Sequence, residues 1–140
     1  MDAKTRAMTD KTRQSMEYIP NRGPFKSEAD ALAHVVDRLT SELDPVAIWL
    51  FGSRATGSNA PDSDFDLLVV TKDEDGEAGY DYDRAYAPLR GLGVGCEVIP
   101  CPASDFEAGK SDPTSLCKHI VETGRQIYER QADRLVLRTG

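Results

Sequence analysis

The chain lacks the features that would place it in a membrane or in a secreted disulfide framework. No apolar run approaches the ~20 residues that a membrane-spanning helix needs, and the first residues contain no apolar segment of the secretory-signal type. Cysteine is scarce, and the three present, Cys96, Cys101 and Cys117, are an odd number. Without a secretory signal they indicate reduced thiols, so we expect a cytoplasmic protein.

Net positive charge is also absent. Among the 140 residues, 24 acids outnumber 17 Lys and Arg, and the net charge is -7. Such a surface repels phosphate backbones, which argues against non-specific binding of nucleic acid. Residues 1–26 hold six Lys or Arg and three acids and are therefore net positive, which is compatible with a solvated helix and with a contact to an anionic partner.

Hydrophobic spacing predicts a small α/β fold, with a mixed sheet of three to five strands and helices packed on it. Residues 1–26 are predicted to form an N-terminal helical extension, helical over 3–18, and residues 27–140 to form the domain. Ser27 is expected to cap an amphipathic helix that ends at Leu43. The predicted strands cover 46–51, 64–70, 94–101 and 125–129, an acidic loop covers 71–83, and further helices cover 82–91, 104–109 and 113–124.

Two aspartates stand at the head of the second predicted strand, "DFDLLVV". Because side chains alternate along a strand, Asp64 and Asp66 are expected to face the same way, opposite Phe65. Two such carboxylates repel each other by about 4 kcal/mol at ~4 Å when the effective dielectric constant is about 20. A cation or a shifted pKa is needed to relieve this repulsion. Carboxylate oxygens are ligands that Mg²⁺ prefers, so the pair predicts a divalent metal site.

The turn after the first predicted strand supplies a second element. Glycine at a strand end permits close approach of a ligand to the backbone, and the amides of a following helix terminus bind anions. Gly52 provides the glycine, and Ser53 adds a hydroxyl donor. A metal clamp that faces an amide-lined anion pocket is suited to a nucleoside triphosphate.

These residues resemble the signature of the minimal nucleotidyltransferases of the DNA polymerase beta superfamily, in which Gly-Ser is followed after ten residues by Asp-x-Asp. Here Gly52-Ser53 and Asp64-Phe65-Asp66 are separated by the ten residues 54–63. The segment "CKHIVETGRQIYE" (117–129) is similar to the closing helix, glycine and strand of those domains. The resemblance covers most of residues 27–129 and implies a polymerase-beta-palm-like nucleotidyltransferase fold.

The resemblance also implies a third carboxylate on a neighbouring strand, for which Glu97 is the candidate. On that strand Gly95, Glu97 and Ile99 share one face. The family most often has Asp at this place, so Glu97 is a departure that puts turnover in question. The extra methylene moves the oxygens outward by roughly one bond length, whereas such sites are sensitive to displacements of ~0.5 Å. The alternative is a solvent-facing strand acid with no catalytic role.

The resemblance implies a role for each site residue. Asp64 and Asp66 would hold two Mg²⁺ ions, and Glu97 would bind the second ion and accept the proton of the acceptor hydroxyl. The acceptor oxygen would attack the α-phosphorus of ATP, and pyrophosphate would leave. Arg54 would help to neutralise the phosphates, or would lie on the helix surface. The residues implied for nucleotide binding are therefore Gly52, Ser53 and Arg54.

The leading functional prediction is Mg²⁺-dependent transfer of AMP from ATP to an acceptor hydroxyl. Family members of this size resemble antitoxins that pair with a small helical HEPN-type toxin and add AMP to it, so such a protein is the predicted partner. An enzyme that modifies a small hydroxyl compound, such as an aminoglycoside, is a second possibility. A non-catalytic module of the same fold, which binds a nucleotide or a partner, is a third, and the departure at Glu97 favours it.

Overall fold

The computed structural model describes residues 19–131, which form one four-stranded sheet with helices on both faces. The strands are β1 (Ala47–Phe51), β2 (Phe65–Thr71), β3 (Cys96–Pro102) and β4 (Arg125–Glu129). The α-helices are α1 (Glu28–Leu43), α2 (Ser53–Thr56), α3 (Tyr82–Tyr86), α4 (Ala103–Gly109) and α5 (Leu116–Thr123), and 3₁₀-helices cover Asp73–Tyr80 and Ala87–Leu89. Within this part of the chain no helix is both long and apolar enough to cross a bilayer. The predicted α/β fold class is confirmed.

Helix α1 forms where the sequence predicts it. The Ser27 hydroxyl accepts a hydrogen bond from the Asp30 amide at 3.0 Å, which satisfies one of the amides left free at a helix start. The helix ends at Leu43, and the next residue, Asp44, has a φ of 47° that turns the chain before Pro45. One face of the helix is apolar and packs on the sheet. Its buried positions are Ala31, Val35, Leu39 and Leu43.

The strand order of the sheet is β3-β2-β1-β4. Strand β1 is antiparallel to both β2 and β4, whereas β2 and β3 are parallel. The central strand β2 is buried on both faces. Leu67 and Val69 pack toward α1, and Leu68 and Val70 pack toward α4 and α5. This double burial fixes the register of β2, because a slip by one residue would exchange its two faces.

Strand β3 departs from its prediction at its end. The predicted strand 94–101 ends before Pro102, whereas β3 extends to Pro102 and includes both Pro100 and Pro102. Strand β3 is at the edge of the described sheet, where only alternate residues use their N–H in the ladder. Two prolines that are two residues apart can therefore both direct their missing donor away from β2.

The connection between β2 and β3 also differs from its prediction. The expected acidic loop over 71–83 contains the 3₁₀-helix Asp73–Tyr80, and the expected helix over 82–91 is only α3 followed by a 3₁₀ turn. The acidic segment is held to the sheet by the buried Thr71 hydroxyl, which donates to the carbonyl of Gly79 at 3.0 Å.

The predicted N-terminal extension is described only in part. The helix expected over 3–18 lies outside the described residues, and residues 19–26 form turns rather than helix. These turns pack on the loop that precedes β3. A Cβ at Gly23 would lie 2.9 Å from the carbonyl oxygen of Gly93. Residues 19–26 therefore belong to the packed domain.

Gly124 separates α5 from β4 and caps the helix. Its N–H donates to the carbonyl of Ile120 at 2.7 Å. Its φ of -91° is accessible to any residue, so conformation does not demand glycine here. A Cβ would lie 2.6 Å from the Ile120 oxygen and 2.8 Å from the Leu50 oxygen. The requirement is therefore steric, because β1 and α5 approach each other across this residue.

We expect Gly124→Ala to lower the free energy of unfolding by about 3 kcal/mol, because two backbone oxygens must move to admit the methyl group. Gly57→Ala is the control. Gly57 has open space around it and a φ of 81°, so only the left-handed conformation is penalised, by about 1 kcal/mol. Urea unfolding of both variants measures the difference. Equal losses would show that the close approach at Gly124 is unimportant.

Candidate active site

The turn between β1 and α2 forms one side of the site. Gly52 has φ 71° and ψ -156°, a conformation that residues with a Cβ avoid. Helix α2 begins at the next residue, Ser53. The preceding residue, Phe51, pairs with Asp66 across the antiparallel ladder. The first turn of α2 therefore lies beside the head of β2.

The carboxylates form the other side. In the parallel ladder between β2 and β3, Asp66 is directly opposite Glu97, so the two side chains project from the same face of the sheet. Asp64 lies immediately before β2, in the extended segment that leads into Phe65. Asp66 is half-buried, and Asp64 and Glu97 are exposed. The structure thus places the three carboxylates at one end of one sheet face.

Two glycines provide the space for the aspartates. A Cβ at Gly52 would collide with Oδ2 of Asp66, and a Cβ at Gly95 would collide with Oδ1 of Asp64. Each aspartate therefore lies against a bare backbone, where a larger residue would displace the carboxylate. Gly52 is part of the sequence signature, whereas the sequence pattern identifies Gly95 only as a residue on the same face of the strand as Glu97. Its clash with Asp64 follows from a contact across the chain that no local pattern reveals.

The pKa of Asp66 reflects this crowding. Burial raises it above the ordinary value of 3.8, and the negative charges of Glu97 and Asp64 raise it further. Both causes disfavour the ionised carboxylate. The repulsion expected within the Asp-x-Asp pair is therefore present, and Glu97 takes part in it.

The described residues provide no cation to relieve this repulsion. None of their ion pairs includes Asp64, Asp66 or Glu97. No three of their His, Cys, Asp or Glu side chains form a ready-made metal site either, so holding an ion with all three carboxylates requires the exposed Asp64 and Glu97 side chains to turn toward Asp66. Three crowded carboxylates that form no ion pair within residues 19–131 fit a hard divalent cation such as Mg²⁺.

The side chain of Arg54 is engaged by other groups of the protein. Its side chain is only 7% exposed, and its guanidinium forms an ion pair with Glu28 at 2.8 Å. It also donates to the carbonyls of Ser63 and Pro61, both at 2.9 Å, and lies over the ring of Phe65, 4.2 Å from its centroid. These contacts favour a structural role over the predicted phosphate-binding role. Arg54 fixes α2 to the loop that leads into β2.

Asn21 is a further residue of this region that sequence reasoning missed. Its side-chain amide donates to the carbonyls of Ser63 and Gly95, at 3.0 and 2.8 Å, and its side-chain oxygen accepts the N–H of Gly95 at 2.6 Å. Its backbone N–H donates to the carbonyl of Pro61 at 2.9 Å. A single asparagine in a turn gives no periodic signal, so the sequence alone could not have identified it.

The thiol of Cys96 lies close enough to the carboxylates to feel their charge. Burial, reinforced by the charge of Asp64, raises the pKa of Cys96 to about 12. The thiol is therefore protonated at neutral pH.

Comparison with known proteins identifies a family whose sequence model matches most of the chain. The sequence model described as polymerase beta, nucleotidyltransferase, matches residues 34–133. A nucleotidyltransferase candidate from Sulfolobus solfataricus is 24% identical in sequence, with 71% of this chain and 78% of that chain covered and a TM-score of 0.47. A toxin-antitoxin structure with AMP-PNP is 21% identical, with 74% and 77% covered and a TM-score of 0.48. No curated protein matches the sequence significantly.

The raised pKa of Asp66 predicts a pH-dependent gain of stability in Asp66→Asn. A group whose pKa is higher in the folded state binds protons more readily there, so stability falls as pH rises from 3.8 through the raised pKa. In chelator-treated protein, the variant should be more stable than the wild type at pH 7, and the difference should vanish below about pH 4. Urea unfolding across this range measures it.

Asp62→Asn is the matched control, because Asp62 is an exposed acid of the loop that precedes β2. It should show no comparable gain. A loss of stability in Asp66→Asn at pH 7, or a gain that is unchanged at low pH, would contradict the electrostatic explanation.

Proposed function

Because the chain belongs to the polymerase beta nucleotidyltransferase family, we propose that it transfers AMP from ATP to an acceptor hydroxyl in a Mg²⁺-dependent reaction. The observation that supports this most directly is the arrangement of the three carboxylates. Asp64, Asp66 and Glu97 lie at one end of the sheet beside the Gly52-Ser53 turn. Together they offer a cation site next to an anion site, which is what binding a nucleotide triphosphate requires.

The Gly52-Ser53 turn would bind the terminal phosphates. The amides of the first turn of α2 and the Ser53 hydroxyl are hydrogen-bond donors of the kind that bind a phosphate. Pyrophosphate would stay bound to these donors while the bond between the α-phosphorus and its bridging oxygen breaks. The donors would thereby stabilise the charge that develops on the leaving group.

The carboxylates would act on the other side of the α-phosphorus. Asp64, Asp66 and Glu97 would hold Mg²⁺, two ions by the family resemblance, and the metal supplies Lewis-acid stabilisation of the phosphate charge when bound. Glu97 is exposed and free to face an incoming acceptor. It would accept the proton of the acceptor hydroxyl as the new bond from oxygen to the α-phosphorus forms.

The acceptor is proposed to reside on a partner protein, a small helical toxin of the HEPN type. Residues 19–131 contain one sheet and no separate domain that would present an acceptor. An acceptor that arrives on another molecule is consistent with the exposure of Asp64 and Glu97.

A non-catalytic module of the same fold is the second candidate. The specific observation in its favour is Glu97, which has one methylene more than the Asp that is usual in the family. Such a module would bind a nucleotide or a partner without turnover. The transfer reaction distinguishes the two candidates.

We expect label from α-³²P-ATP to appear on a co-purified partner when Mg²⁺ is present. Asp64→Asn, Asp66→Asn and Glu97→Gln should each lower the rate by at least about 10²-fold, because each removes a charge from the proposed metal site. Asp62→Asn should retain wild-type activity. A parallel reaction with an aminoglycoside as acceptor tests the small-molecule alternative.

Tight binding of a partner without any labelling, by the wild type as well as the variants, would support the non-catalytic module and contradict the proposed enzyme. Loss of activity in Asp62→Asn as well would show that the effect is a general one of loop charge.

Metal binding should also stabilise the protein independently of any acceptor. A cation that binds only the folded state adds about 2.7 kcal/mol when its free concentration is 100 times Kd, so Mg²⁺ or Mn²⁺ should raise Tm in wild type and in Asp62→Asn. Asp66→Asn should show no rise in Tm, and a chelator should return the Tm of the wild type to its metal-free value. An equal rise in Asp66→Asn would place the ion elsewhere.

A further inference from the structure

We propose that Asn21 is a positioning residue that sets the relative placement of the carboxylates on β2 and β3; this inference rests on the proposed function. Asn21 joins its own turn to two other segments, the loop before β2 and the loop before β3. Its side chain bonds the carbonyl of Ser63 and both backbone groups of Gly95, and its own amide bonds the carbonyl of Pro61. The side chain thereby bridges the entries of the two strands that carry the site.

Strand pairing alone does not fix the positions of all three carboxylates. Asp66 and Glu97 lie inside the parallel ladder and are placed by its register. Asp64 lies before β2, which begins at Phe65. The nearest backbone hydrogen bond between the two strands runs from the Phe65 N–H to the carbonyl of Gly95 at 3.0 Å. The backbone that carries Asp64 therefore depends on contacts outside the ladder.

Asn21 supplies those contacts on both sides of Asp64. It bonds the residue that directly precedes Asp64, and it bonds Gly95, against whose Cα the Asp64 carboxylate lies. A Cβ at Gly95 would also lie 3.3 Å from the side-chain nitrogen of Asn21. The asparagine amide, the glycine and the carboxylate thus pack as one unit.

Arg54 shares part of this task but cannot replace Asn21. Its guanidinium donates to the carbonyls of Ser63 and Pro61, two acceptors that Asn21 also uses. Its described contacts do not extend to Gly95, so they hold the β2 entry without joining it to the β3 entry. The cross-strand part of the clamp belongs to Asn21, which lies outside the 34–133 match to the family.

The test measures Mn²⁺ affinity by electron paramagnetic resonance, together with kcat and KM for AMP transfer, in full-length Asn21→Ala. Loss of a group that orients metal ligands typically weakens metal binding or activity 10- to 100-fold. We expect a rise of at least about 10-fold in the Mn²⁺ Kd and a fall in kcat with a smaller change in KM for ATP, at a temperature well below the Tm of every variant. A merely structural role would lower Tm and leave the Mn²⁺ affinity of the folded protein unchanged.

Asn59→Ala is the matched control, because Asn59 is also half-buried and its side chain donates to the carbonyl of the next residue, Ala60, at 3.1 Å. Where Asn21→Ala does not fold, Asn21→Ser keeps one hydroxyl and should give an intermediate Mn²⁺ affinity. If the wild type binds Mn²⁺ and transfers AMP, Asn21 variants with the same Mn²⁺ affinity and transfer rate as Asn59→Ala would overturn this inference alone. A wild type that neither binds Mn²⁺ nor transfers AMP would overturn the proposed function, and this inference with it.

Discussion

Repulsion among three carboxylates is the constraint on which the site depends. Asp66 and Glu97 face each other across a parallel ladder, and Asp64 lies close enough to raise the pKa of Asp66 further. Left to themselves, such charges would separate. They remain together because the backbone that carries them is fixed by forces that outweigh the repulsion. The most important of these is the burial of β2 on both faces, which places Leu67 and Leu68 in opposite cores.

The scaffold and the site therefore meet along one strand. The apolar residues of β2 fix its register, and that register fixes the direction in which Asp66 points. Beyond the ladder, side-chain hydrogen bonds take over. Arg54 holds the loop before β2, and Asn21 connects that loop to the entry of β3. Burial therefore fixes the position of β2, and these polar contacts fix the backbone at the exposed Asp64.

Sequence periodicity predicts part of this fold and site but not all of it. Alternation along β2 correctly predicted that Phe65, Leu67 and Val69 enter the core, because each face of a strand is a local property of the sequence. The extension of β3 to Pro102 depends on its position at the sheet edge, and the contacts of Asn21 and Arg54 join residues distant in sequence. The local spacing of residue types does not reveal sheet topology or hydrogen bonds between residues distant in sequence.

Glu97 shows how the same scaffold bears on the chemistry. The parallel ladder fixes the backbone distance between Asp66 and residue 97, so strand pairing cannot compensate for the additional methylene of glutamate. Compensation must come from the side chain itself. Glu97 is exposed on an edge strand and forms no ion pair within residues 19–131, so its torsions are free to change. The longer side chain can therefore fold back toward Asp66 at a cost in rotamer entropy, which is small compared with the attraction of a divalent cation.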